Sequence, residues 1–206
     1  MMIIAKSASE LPLIWYHGTT EIDAHSVLDG IDLNRSDTRR DVDFGKGFYL
    51  TTNQKRAERR AISRTKSYNF DQDELELPEY TKAVVIKYSL DTEALNFLHG
   101  KFFTKTDDDW ILFVMGNRSE NPARIPGAYH NQKPTYDYVY GPLADGVRIP
   151  TQIIKVERGT LLQSEFLKEA RRYPFPKENQ LSVHTQAAID LLVPMEVKVC
   201  ETLSTK

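Results

Sequence analysis

The sequence predicts an α+β fold in a single domain, on three observations. Strand-like and helix-like stretches are mixed along the chain without the strict βαβ rhythm of a doubly wound parallel sheet. The strand candidates are short and rich in aromatic and β-branched residues, as in Leu11–His17, Gly47–Thr52 and Lys82–Leu90. The chain has 206 residues, 40% of them hydrophobic and 27% charged, which suits one sizeable core. It shows no internal repeat and no clear linker.

Taken in order, Leu11–His17 reads as a buried strand running into a turn at Gly18-Thr19-Thr20. Thr20 caps a short helix through Leu28, ended by Gly30. Asn34–Asp43 is polar and charged, hence a loop. Gly47–Thr52 is a strand, and Asn53 caps a helix over Gln54–Ser67. Phe70–Tyr80 is acidic and reads as an exposed loop before the strand Lys82–Leu90. Asp107–Arg118 begins with acids and turns apolar, as a helix with a complemented dipole does. Asn121–Pro134 is a long loop, and Tyr136–Gly141 a strand. Gly159–Arg172 has helical spacing, stopped by Pro174 and Pro176. Leu181–His184 is a strand, Gln186–Leu192 a short helix, and Glu196–Thr202 the last strand, with Cys200 at a strand position.

Bulk properties exclude several classes. The net charge is −2, so there is no overall pull toward nucleic acid or anionic membrane. One cysteine rules out an internal disulfide and an all-Cys metal site. Asp107-Asp108-Asp109 reads as a dipole complement rather than a metal site, and no metal is expected. No run approaches the ~18 apolar residues of a membrane span. The N-terminus lacks a basic stretch before a long apolar core. A cytoplasmic protein without a membrane partner is expected.

Three segments carry chemistry. In Trp15-Tyr16-His17-Gly18-Thr19, a His before Gly at a strand end aims an imidazole off the sheet edge and lets a ligand approach bare backbone. The alternative is a satisfied surface histidine before a turn. Asp43-Phe44-Gly45-Lys46-Gly47-Phe48-Tyr49-Leu50 lacks the spacing of a phosphate loop and reads as a hairpin turn, or as a turn offering the Tyr49 ring to a flat ligand. In Asn179-Gln180-Leu181-Ser182-Val183-His184-Thr185, alternation puts Gln180, Ser182 and His184 on one face, either solvated or the floor of a site. Beside these, Arg56, Arg60 and Arg64 fall at i, i+4, i+8 on one helix face. That face is either solvated or a cationic wall for a pyrophosphate or a nucleic acid.

In this order the three segments resemble the three motifs of the ADP-ribosyltransferase superfamily, in its His-Tyr-Glu branch, which includes the poly(ADP-ribose) polymerases. FGKGFYL is the most specific match, and His17 and Tyr49 are 32 residues apart, close to the spacing of that branch. The order HGT, DFGKGFYL, YDYVYGP and QLSVHT is similar to a narrower, uncharacterised bacterial and phage family of such transferases, often encoded as toxins beside an antitoxin. The resemblance implies a split antiparallel sheet with flanking helices, and residues about 91–178 as a family-specific insertion.

It also implies NAD⁺ as substrate. His17 would bond a ribose hydroxyl, Gly18 would clamp the nicotinamide carboxamide through its backbone, and Tyr49 would stack on the ring. Thr19 and Gly47 flank these positions and join the binding set. Lys46, Arg56 and Arg60 are the candidates for the pyrophosphate. Gln180 stands where the catalytic Glu would be, and His184 is a candidate replacement base. Two positions depart from the polymerases: Arg60 replaces a second stacking Tyr and Ala57 a carboxamide-binding Ser. The second ring would then come from Tyr68, Tyr138 or Tyr140, or be absent.

A neutral Gln supplies a dipole but no charge and cannot act as a general base. The expectation is therefore mono-ADP-ribosylation of a macromolecule, protein or nucleic acid, by a toxin-like effector. The rivals are an NAD⁺- or ADP-ribose-binding module without turnover and an RNA 2′-phosphotransferase.

Overall fold

A computed structural model describes residues 5–34, 42–76, 80–145, 148–173 and 178–200. Most of the expected loop before Asp43, the prolines Pro174 and Pro176, and the end of the expected last strand lie outside them. Strand β1 (Ile14–Thr20) pairs with a neighbour on each edge. Along its whole length it is antiparallel to β3 (Ala83–Leu90). To β2 (Phe48–Thr51) it holds by one registered pair, Tyr16 with Thr51. The other strands are β4 (Gly100–Phe102), β5 (Tyr138–Pro142), β6 (Asn179–Val183) and β7 (Leu192–Val199). The order is β4-β5-β6-β2-β1-β3-β7, antiparallel except for β4 with β5. The fold is α+β, and the single β1–β2 pair lets two half-sheets part on one side of Tyr16.

Strand sequence follows this placement. In β3, Val84, Ile86, Tyr88 and Leu90 join one core and Ala83 and Val85 another, as a strand buried on both faces requires. The first core centres on Trp15, Phe48, Leu181 and Tyr140. The second packs Trp110, Phe113, Ile153 and Phe166 beneath β5.

Seven helices flank the sheet among the described residues. Helix α1 (Glu21–Asp29) is capped by Thr20, whose hydroxyl accepts the Asp23 N–H at 3.1 Å. Helix α2 (Gln54–Glu74) is capped by Asn53, accepting from Arg56 N–H at 3.2 Å. Its small residues Ala57, Ala61 and Thr65 are buried. At 100° per residue, the stripe Arg56, Arg60, Arg64 sits one step around the cylinder from them. Burying the small stripe therefore turns the arginine stripe toward the neighbouring groove. Helix α3 (Thr92–Leu95) and α7 (Gln186–Ile189) are single turns. Helices α4 (Asp108–Arg118), α5 (Arg148–Glu157) and α6 (Gln163–Ala170) cover the second core. No described helix is long and apolar enough to cross a membrane.

Several expectations are corrected. The turn at Gly18-Thr19-Thr20 is strand, because β3 pairs with each of those residues. Helix α2 runs on to Glu74 through the expected loop, tied down where Asn69 exchanges bonds with the backbone of Thr81. The expected helix at Gly159 starts at Gln163, since Gly159 instead ends the unforeseen α5, bonding back to Val156 at 3.0 Å. Strand β7 begins at Leu192 and keeps Pro194, which an edge strand tolerates. The segment 91–178 contributes β4 and β5 to the sheet, β5 pairing with β6. The three aspartates stand at the start of α4 as expected: Asp107 caps the helix, Asp108 pairs with Arg171 and Asp109 with Lys101.

Candidate functional site

The gap between the half-sheets opens into a cleft of about 720 Å³, roofed on one side by α2. That volume is within the usual range of ~300–1,000 Å³ for small-molecule sites. Register explains its floor. Tyr16 opposes Thr51, Thr51 opposes Gln180, and Tyr49 opposes Ser182, so these side chains share one face. Of the segments singled out in the sequence, His17, Gly18, Thr19, Gly47, Tyr49, Gln180, Arg56 and Arg60 all line the cleft.

His17 spans the gap. Its Nδ1 meets the Tyr49 carbonyl at 2.8 Å and its ring stacks on Phe48 with centroids 4.2 Å apart. A carbonyl only accepts, so Nδ1 carries the proton and Nε2 keeps its lone pair. Burial lowers the His17 pKa to about 4, and the cations of Arg64 and Arg60 add to that effect against the pull of the Tyr49 carbonyl. The imidazole is neutral at physiological pH, and its Nε2 meets no partner among the described residues. Such a nitrogen accepts a hydroxyl proton.

Gly18 lies where α2 crosses the strand. A Cβ there would fall 1.9 Å from the Ala57 carbonyl oxygen, so no side chain fits. Ala57 is itself buried, in a core cluster with Ala61, Ala83 and Val85. Thr19 is buried and its hydroxyl reaches Asp23 at 3.4 Å.

Tyr49 is fixed by its own phenol. The hydroxyl donates to the Gly45 carbonyl at 2.6 Å and accepts from Phe44 N–H at 3.0 Å. Burial and the neighbouring Asp43 carboxylate raise its pKa, so it stays protonated. The phenol therefore clamps the turn at Asp43–Gly45 and leaves the ring as wall. None of Tyr68, Tyr138 and Tyr140 lines the cleft, and the last two are buried in the core. The other phenol ring in the lining is Tyr16.

Gln180 is buried, and its Nε2 donates to Asp43 Oδ2 at 2.5 Å. Asp43 also accepts from Ala144 N–H at 2.8 Å and pairs through Oδ1 with Arg118, itself bonded to the Ala144 carbonyl. Asp43 and Arg118 both line the cleft, and neither was foreseen. Asp43 stands directly before the FGKG run, and its signal was adjacency alone. Arg118 ends a helix distant in sequence, and nothing local marks it.

Three candidates change character. His184 is buried away from the cleft lining, with Nδ1 on the Lys46 carbonyl at 2.8 Å and Nε2 accepting from the Ser182 hydroxyl at 2.8 Å. Burial lowers its pKa to about 4. Both nitrogens are spent, so it anchors the GKG turn and is no base for the cleft. Gly47 fits the same anchor, since a Cβ there would lie 2.6 Å from His184 Nδ1. Lys46 is not part of the lining. Arg56 lines the cleft but is held by Glu178 at 3.0 Å and Asp145 at 2.8 Å. Arg64 pairs with Asp23 at 3.3 Å, while Arg59 and Arg60 stand exposed at the rim.

The chain belongs to a family described as a protein of unknown function (DUF3990), whose model matches residues 13–193. Comparison with curated proteins and with solved structures gives no match.

Proposed function

We propose that this protein is an NAD⁺-dependent mono-ADP-ribosyltransferase, a toxin-like effector acting on a protein or nucleic acid. The observation that carries the reading is the His17–Tyr49 bridge across the gap between β1 and β2. It presents a neutral acceptor nitrogen beside an aromatic wall, the pair needed to hold a ribose hydroxyl and a flat nicotinamide. The motif resemblance in HGT and FGKGFYL supports it, as does the arginine rim of α2, suited to a pyrophosphate.

In the proposed reaction the bond from ribose C1′ to the nicotinamide nitrogen breaks. Its electron pair leaves on neutral nicotinamide, and positive charge develops over C1′ and the ring oxygen. An acceptor oxygen or nitrogen forms the new bond to C1′ and releases its proton to solvent. Tyr49 and the Gly18 backbone orient the leaving group, His17 orients the ribose, and Gln180 faces the developing charge. Gln180 cannot act as a general base, and Asp43 beside it is held by Arg118, the Ala144 N–H and Gln180 itself, so a single transfer rather than chain growth is the expected product.

Purified protein incubated with labelled NAD⁺ and cell lysate should label a macromolecule, and Tyr49→Ala should abolish the label. Absence of label on protein, RNA and DNA would refute transfer. The neutral Gln180 favours a second reading, an NAD⁺-binding module without turnover. Calorimetric NAD⁺ binding with no nicotinamide release would select it.

A further inference from the structure

Gln180 and Asp43 lie side by side at the back of the cleft, and their chemistry fixes how they face each other. A carboxylate only accepts hydrogen bonds, so the amide must turn its NH₂ toward Asp43. The amide oxygen then points the other way. It meets no described hydrogen-bond donor, and it is not sealed off as a buried unpaired atom. Gln180 itself lines the cleft.

Asp43 has no freedom to release the amide. It is 3% exposed, and Arg118, the Ala144 N–H and Gln180 hold its two oxygens from three sides. Asp43 and Gln180 are far apart in sequence, so this arrangement is built by the fold rather than by a local turn.

We infer that Asp43 is a positioning residue that locks the Gln180 amide with its carbonyl oxygen toward the substrate ribose. The inference rests on the transferase reading above. The formal charge then stands one group behind the contact. A hydrogen bond from NH₂ to a carboxylate polarises the amide and makes its oxygen more negative. As C1′ loses the electron pair to nicotinamide, that oxygen faces the growing positive charge and accepts a ribose hydroxyl, whose proton stays in place. This arrangement accounts for a Gln at the position where the resembling enzymes carry Glu.

It also makes a reversed expectation. Gln180→Glu, which restores the motif, sets two carboxylates against each other, and both cannot ionise. Its kcat for nicotinamide release should fall about a hundredfold, the scale of a misplaced contact, with KM for NAD⁺ little changed. Asp43→Asn should fall similarly. The double variant Asp43→Asn/Gln180→Glu holds one carboxylate and one amide again, and should recover about tenfold or more over Gln180→Glu.

Melting curves read the same coupling without activity. The pair in Gln180→Glu retains a proton in the folded state that it loses when unfolded. Its stability should therefore fall as pH rises from about 5 to 8, and the double variant should lose that fall. An active wild type with Gln180→Glu at or above wild-type kcat, or with a double variant no better than Gln180→Glu, overturns the positioning role alone. A wild type that neither binds NAD⁺ nor releases nicotinamide overturns the transferase reading and the role with it.

Discussion

His17 donates Nδ1–H to the carbonyl of Tyr49 at 2.8 Å, joining β1 to β2 beyond the one pair that the strands share. Two residues from separate motifs thus hold each other. The bond fixes the tautomer of His17, and it fixes where the backbone of Tyr49 sits relative to the cleft.

His17→Ala removes the acceptor nitrogen and the bridge together. One hydrogen bond to a neutral group is worth about 1 kcal/mol, and the widened gap adds to that. NAD⁺ affinity by calorimetry should fall by about tenfold or more. His17→Asn keeps a donor for the Tyr49 carbonyl and should lose less than His17→Ala.

Acid sensitivity follows from the two buried histidines. Burial holds His17 and His184 near pKa 4, against an ordinary value of 6.5. The unfolded chain binds more protons between those values, so stability is fully present above pH 6.5 and is lost as pH falls toward 4. The His184 contribution is on the order of 3 kcal/mol. Melting temperature should be nearly flat from pH 7 to 8 and drop below 6.5. His184→Asn, which can still donate to the Lys46 carbonyl, should melt less steeply with acid. An equal acid slope in wild type and variant would contradict this assignment.

Gly18→Ala tests the contact between α2 and β1. The added methyl would sit 1.9 Å from the Ala57 carbonyl, which is backbone and cannot swing aside. The helix must move off the strand, at a cost of about 2 kcal/mol or more. Urea denaturation should show that loss, and NAD⁺ binding should weaken as the arginine stripe shifts with the helix.

Much of this was legible in the sequence, for reasons particular to the residues. Thr20 and Asn53 each cap a helix where their side chains predicted, because capping is local. His17, Gly18, Tyr49 and Gln180 meet in one cleft because each lies on or beside a short strand of one sheet. What escaped was non-local. Asp43 acquires its importance from Arg118 and Gln180, partners that no spacing rule connects to it. His184 looked like a spare base because the Lys46 carbonyl reaches its Nδ1 only after the GKG turn folds over it, leaving Nε2 to the neighbouring Ser182 hydroxyl. Strand β4 is three residues long and pairs in parallel with β5 from a distance, so no local pattern marks it.

Arg60 and Arg56 separate two readings of the basic helix face. Arg60 lines the cleft near His17, whose pKa its cation helps to lower, while Arg56 is ion-paired with Glu178 and Asp145. A charged hydrogen bond to a pyrophosphate is worth about 1.5–3 kcal/mol. Arg60→Gln should therefore raise KM for NAD⁺ by about tenfold with kcat unchanged. Arg56→Gln should chiefly lower stability by freeing Glu178. Equal kinetic effects would mean that the face acts through bulk charge alone, and raising salt would then erase both.

Tyr49 offers the sharpest separation of ring from hydroxyl. The ring lines the cleft, whereas the hydroxyl is spent on the Gly45 carbonyl and the Phe44 N–H. Tyr49→Phe keeps the wall and abandons those two backbone groups, a loss of about 1–3 kcal/mol. The turn that loosens is the one carrying Asp43, which holds the Gln180 amide. NAD⁺ should still bind to Tyr49→Phe with near wild-type affinity, because the stacking surface remains. Its kcat for nicotinamide release should fall, because the amide behind the ribose is no longer held. Tyr49→Ala should lose binding as well. If Tyr49→Phe instead weakens NAD⁺ binding while leaving kcat intact, the hydroxyl serves the ligand directly and the turn is held by other contacts.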